Sequence, residues 1–191
     1  MKFLLCLTII ISTNKIVLSW RPFNVHLTDV TCFSNSSKIS YINCSIGVDS
    51  YKGGLNFNVK FKEEIDKAMF NVLLNIKRNN QPDFVLINTS FDACSFVENS
   101  NIMQMLKLMR DEVYLYSENF PKECPVKKNT EVNIKNLYFK ADNLPSYVPE
   151  CRFSLTYKLW QAKETLLETT IMGSVENKQK LRKKPLKNNT N

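Results

Sequence analysis

Histidine is nearly missing from this sequence, glycine is scarce, and apart from one short run near the start nothing is hydrophobic enough to suggest a membrane. The single histidine, His26, among 191 residues cannot by itself complete a metal site or a nucleophile–base pair, and it reads as a surface or strand-edge residue. Four glycines leave no Gly-rich elbow, and neither an H-E-x-x-H helix nor a C-x-x-C pair is present. The glycines are expected outside strand centres, with Gly53-Gly54 marking a turn. The apolar run Phe3 to Ile11 is too short to span a bilayer. Flanked by Met1-Lys2 and Val17-Leu18-Ser19, it reads as a secretory signal cut after Ser19.

Charge is also missing where it would matter most. The formal net charge is +8, but Lys2 and Lys15 lie in the signal, and Lys178, Lys180, Arg182, Lys183, Lys184 and Lys187 lie at the far end. The intervening residues sum to zero. Nucleic-acid recognition needs a basic face interleaved with exposed aromatics, so no nucleic acid is expected as partner. The organisation is therefore a signal over 1–19, one domain over 20–176 and a basic, disordered tail over 177–191.

Export changes the meaning of the cysteines. With Cys6 in the signal, Cys32, Cys44, Cys94, Cys124 and Cys151 remain. That is an odd number in an oxidising compartment, so at least one thiol lacks an intrachain partner. Sequons at Asn35, Asn43, Asn88 and Asn188 agree with export. Asn35 and Asn88 are expected to carry glycan, whereas Asn43 would compete with oxidation of Cys44.

What the chain does have is alternation. Leu55, Phe57, Val59 and Phe61 alternate with polar residues; Phe70, Val72, Leu74 and Ile76 follow, and Phe153, Leu155, Tyr157 and Leu159 repeat the pattern. These are strands with one buried face. Further strands are expected over 25–33, 39–48, 83–91, 131–140 and 164–175. A solvent-facing Asn88 would turn Val85, Ile87, Thr89 and Phe91 inward. One segment breaks the rhythm: Ile102, Met105, Leu106, Met109, Val113 and Tyr116 fall at helical spacing, with Asn99 or Ser100 as N-cap. The fold class is mainly β, an antiparallel sandwich or cup with one amphipathic helix inserted between strands.

Cys94 precedes that helix and Cys124 follows it, so a bond between them would clamp the excursion, contributing roughly 3 to 4 kcal/mol. Cys32 and Cys44 are centred on Lys38 and placed to face each other across a hairpin. Asp92 suits bonding of backbone amides at the helix start better than general-base work. No metal is expected, because the cysteines lie far apart. The apolar faces, closed by the Met105/Met109 helix, leave two readings open, a solid core or a cavity, and periodicity alone favours the solid core.

The order Thr31-Cys32, Asn43-Cys44, a strand pair, the block Phe84 to Phe96 with its Asn88-Thr89-Ser90-Phe91-Asp92-Ala93-Cys94, an amphipathic helix, Cys124-Pro125, and Leu144-Pro145 before Pro149-Glu150 resembles a large insect, especially fly, family of secreted proteins. That family is grouped with the lipid-recognition (ML) superfamily, which also contains the ganglioside-activator and Niemann-Pick sterol-binding proteins. The resemblance covers about Val30 to Val175. It implies an immunoglobulin-like β-sandwich opened into an apolar cup, with no catalysis and no cofactor, and it reverses the preference between core and cavity. It also supports the pairing of Cys94 with Cys124. Cys151 stands where the family places glycine after Pro-Glu, and is expected to be a buried thiol in a monomer.

The residues expected to line such a cup are Phe57, Phe61, Val72, Leu74, Val85, Ile87, Phe91, Met105, Met109, Phe153, Leu155 and Tyr157. The expected function is a secreted binding protein for a lipid or other small hydrophobic molecule, in chemosensation or extracellular signalling, with an extracellular receptor as a further partner. The alternative is a ligand-free extracellular structural or receptor-associated interaction protein.

Overall fold

Among the described residues, alternating β-branched, aromatic and polar residues produce eight antiparallel strands, because each such run can bury one face of a pleated sheet and solvate the other. The computed structural model describes residues 23–47, 53–78, 82–98, 102–139 and 150–177. The signal over 1–19, the tail from residue 178, the Asn99 or Ser100 cap and the Pro149 turn lie outside the described residues.

In chain order the elements are β1 (Phe23–Phe33), β2 (Ile39–Ile46), β3 (Leu55–Phe61), β4 (Met69–Lys77), β5 (Phe84–Asp92), α1 (Ala93–Glu98), α2 (Gln104–Tyr116), β6 (Glu131–Leu137), β7 (Cys151–Gln161) and β8 (Glu164–Asn177). A five-stranded sheet has the order β1-β8-β7-β4-β5, and a three-stranded sheet the order β2-β3-β6. Their inner faces share one apolar core. Val72, Leu155 and Ile171 of the larger sheet and Val59, Val132 and Ile134 of the smaller are all buried within it. Each such side chain contributes roughly 1.5 to 3 kcal/mol on leaving water.

Where a single helix is expected between strands, the described residues carry two. Asp92 ends β5 and its Oδ1 accepts from the Ser95 amide at 2.8 Å, so a short helix starts at once from a side-chain cap. α2 then begins at Gln104 behind Met103, which makes no side-chain cap bond. Leu106 is buried, and Ile102, Met109, Val113 and Tyr116 pack against the core. Arg110 Nη2 and Nε donate to the Val97 carbonyl at 2.9 and 3.2 Å, while the Tyr114 hydroxyl donates to the Pro121 carbonyl at 2.5 Å. A carbonyl in the last turn of α1 is thereby satisfied by a side chain of α2, which ties the two helices together.

Both disulfides form between the anticipated partners, Cys32–Cys44 and Cys94–Cys124, with Cα separations of 6.1 and 5.6 Å. The setting of the first differs from expectation. β1 and β2 belong to different sheets, so Cys32–Cys44 fastens one layer of the sandwich to the other rather than two strands of one hairpin. The turn between them leaves the Ser34 hydroxyl to donate to the Leu166 carbonyl at 2.6 Å.

Gly173 also departs from expectation, since it stands within β8, paired with Leu27 on one side and Phe153 on the other. A methyl group there would come within 2.5 Å of both Phe153 Cζ and the His26 carbonyl oxygen. The missing side chain is what lets the Phe153 ring lie across the strand. His26 itself is half-buried on edge strand β1, opposite Ser174.

Candidate functional site

Register decides which side chains meet inside the sandwich. Across the larger sheet Val72 faces Tyr157 on one side and Thr89 on the other, and Tyr157 faces Thr169, which faces Cys32. The next row is Ile87, Leu74, Leu155, Ile171 and Val30, followed by Ile76, Phe153, Gly173 and Leu27. From the smaller sheet Phe57, Val59 and Phe61 face them.

Of the anticipated lining residues, Phe61, Val72, Phe153 and Leu155 are buried. Phe57, Leu74, Phe91, Met109 and Tyr157 are partly buried against the same core. Ile87 is half-buried. Met105 belongs to α2, and its side chain lies outside the described residues.

Val85 does not join the set; it is 52% exposed. The cause is a bulge: Leu74 pairs with Ile87, but the next residue, Asn75, pairs with Val85. Leu86 is the extra residue, and beyond it the alternation of β5 inverts. Val85 therefore stands opposite outward-facing Asn75, and Phe84 takes the inner position beside Ile76. Phe84, Val85 and Leu86 are all about half exposed. Simple alternation contains no mark of the inversion.

The interior has two unlike ends. Where the helices begin, Phe70 packs against Phe91, Phe96 and Tyr157 with ring centroids 5.5, 5.7 and 5.8 Å away. Phe96 continues to Phe120 and Phe120 to Tyr114. Phe70 was visible in the alternation as an inner-face residue. Phe96, Phe120 and Tyr114 come from the excursion, and only the fold brings them together. Burial pushes the Tyr157 phenol well above its ordinary range, so this hydroxyl stays protonated.

The opposite end carries the Phe153 ring among aliphatic side chains and an open groove of about 530 Å³, bordered by Ile76, Cys151 and Val175 on the apolar side and by Lys77, Arg78 and Arg152 among the polar residues. That volume falls within the roughly 300 to 1,000 Å³ of small-molecule sites. The rim is organised. Lys77 Nζ and Asp83 Oδ2 form an ion pair at 2.6 Å, Arg78 Nε donates to the Pro82 carbonyl at 3.1 Å, and the Arg78 guanidinium lies 5.7 Å from the Phe84 ring centre. Cys151 begins β7 opposite Val175, is half-buried against the core, and has no disulfide partner. Burial raises its thiol above the ordinary value.

A second groove, about 390 Å³, runs from Tyr114 to Asn119 along the outer side of β6 at Asn133 and Lys135. Its lining is divided about evenly between polar and apolar surface. Among the described residues no group of three or more His, Cys, Asp or Glu side chains is placed to hold a metal ion, and no helix is long and apolar enough to cross a membrane. Asn35 and Asn88 are exposed, and Asn71 Nδ2 donates to Asn88 Oδ1 at 3.2 Å.

Comparison with known proteins places these observations in context. Residues 70–155, from β4 to the first half of β7, match the family described as protein of unknown function (DUF1091). No curated protein matches the chain. Among solved structures, chicken MD-1 complexed with lipid IVa is similar over 81% of this chain and 98% of that one, with 12% sequence identity and a TM-score of 0.37.

Proposed function

We propose that this protein binds a lipid or another small hydrophobic molecule between its two sheets, with the groove beside Ile76, Cys151 and Val175 as the mouth, and that it does so outside the cell without catalysis. The observation that carries the reading is that Ile76, Cys151 and Val175 border the groove and also pack into the apolar core that holds Leu74, Phe153, Leu155 and Ile171. A hydrophobic molecule gains by leaving water for such a surface, and the polar rim suits a molecule with one wet end. Two disulfides support an oxidising compartment. The sequence resemblance to the secreted insect family points the same way.

One observation favours a filled sandwich acting through its surface instead. Val72 and Ile171, at the centre of the inner face, are each only 1% exposed, so side chains already occupy the middle of the interior. Ligand binding then requires the groove end to open further. Native mass spectrometry and lipid extraction of the glycosylated protein, followed by titration of the stripped protein with a fluorescent fatty acid, separate the two. Bound lipid, or saturable uptake displaced by unlabelled stearate, is the expected result. Protein that is always empty and never takes up the probe overturns the binding reading.

A further inference from the structure

The inner face of the larger sheet is apolar with a localised exception. Thr169 lies on β8 between Leu167 and Ile171, two residues from each, and therefore shares their inward side. It is 4% exposed, and its Oγ1 has no hydrogen-bond partner. A hydroxyl left unpaired in an apolar interior is destabilising, and valine has nearly the same shape without that penalty. Its cross-strand neighbour Tyr157 carries a second hydroxyl, which burial keeps protonated. Elsewhere the same strands pair their hydroxyls: Thr156 and Thr170, on the outward side, meet at 3.0 Å.

We propose that Thr169 is a specificity residue that hydrogen-bonds an oxygen carried within the hydrophobic body of the ligand, so that the preferred ligand is an internally hydroxylated or keto-bearing lipid rather than a plain hydrocarbon chain. This rests on the binding function proposed above. Thr169 is six residues along β8 from Val175 at the mouth, about 20 Å at strand rise. The oxygen that reaches it is therefore remote from the wet end. The threonine hydroxyl both donates and accepts, which suits either an alcohol or a carbonyl.

The test uses stripped full-length protein, a positional series of monohydroxystearates, and stearate as the unsubstituted reference, all competed against one fluorescent fatty acid. Wild type is expected to bind at least one hydroxystearate about three- to tenfold more tightly than stearate, as one buried hydrogen bond allows. Thr169→Val is expected to erase that preference while keeping stearate binding, and Thr169→Ser to retain it. Ligand-free Thr169→Val is expected to melt higher than wild type, because an unpaired hydroxyl has been removed. Stearate bound as tightly as every hydroxystearate overturns the inference and leaves the proposed function standing, and a preference that survives Thr169→Val overturns it as well. A lower melting temperature for Thr169→Val shows the hydroxyl to be paired already, and sinks it independently of any ligand. If neither stearate nor any hydroxystearate binds, the proposed function fails and this inference falls with it.

Discussion

The two ends of the sandwich interior use the same strands to different effect. At the helix end, β4 and β5 present Phe70 and Phe91, and the excursion adds Phe96 and Phe120 to complete a ring cluster. At the groove end, the same strands present Leu74, Ile76 and Ile87, and the bulge turns Val85 outward. Aromatic rings brought in from outside the sheets close the first end. At the second, the described residues that border the groove lie on or next to β4, β7 and β8.

Removing the clamp on the packed end should have the largest effect. The paired change Cys94→Ser and Cys124→Ser, which frees a loop with a sequence separation of 30, is expected to cost about 3.5 kcal/mol by the loop-entropy estimate, read from chemical denaturation. Single large-to-small changes should then rank the two ends. Phe70→Ala should cost about 3 kcal/mol, and Ile76→Ala less than about 2, because the groove side chain has fewer neighbours to lose. Equal losses would remove the distinction between a closed and an open end.

Gly173 sits on the groove side under Phe153. Gly173→Ala should cost about 1 to 3 kcal/mol through displacement of that ring, and Phe153→Leu in the same chain should recover part of the loss. At the other end of β7, the turn into β8 places Ala162 and Lys163 at φ of 49° and 85°. Those conformations favour glycine or asparagine, so Lys163→Gly should raise stability by about 1 kcal/mol. The smallest effect concerns Cys151. Its thiol is shifted upward by burial, so less thiolate is present at neutral pH than for a free cysteine. Maleimide labelling should be slow there and keep climbing at alkaline pH, and bound stearate should protect the thiol. Rapid labelling at neutral pH, or labelling indifferent to ligand, would place Cys151 away from the mouth.

Much of this arrangement was legible in the residues. Period-two alternation located the strands, helical spacing located α2, and the positions of Cys94 and Cys124 around it anticipated their bond. The inner-face members Phe61, Val72, Phe153 and Leu155 followed from parity alone. What stayed hidden depends on partners distant in sequence. The bulge that inverts β5 after Leu86 arises in pairing with β4. The division of β1 and β2 between two sheets arises from strand order, which alternation does not encode. Gly173 stands inside a strand, where its role depends on the Phe153 ring on the neighbouring strand. Thr169 is distinguished only by the register that puts it on the inner face.

Methyl NMR on the stripped protein, titrated with stearate, tests most directly whether only the groove end opens. Signals from Ile76, Leu155, Ile171 and Val175 should shift saturably with stearate, while those of Val97, Leu106 and Val113 beside the helices stay nearly fixed. Shifts confined to the helix end, or none at any methyl, would contradict the account.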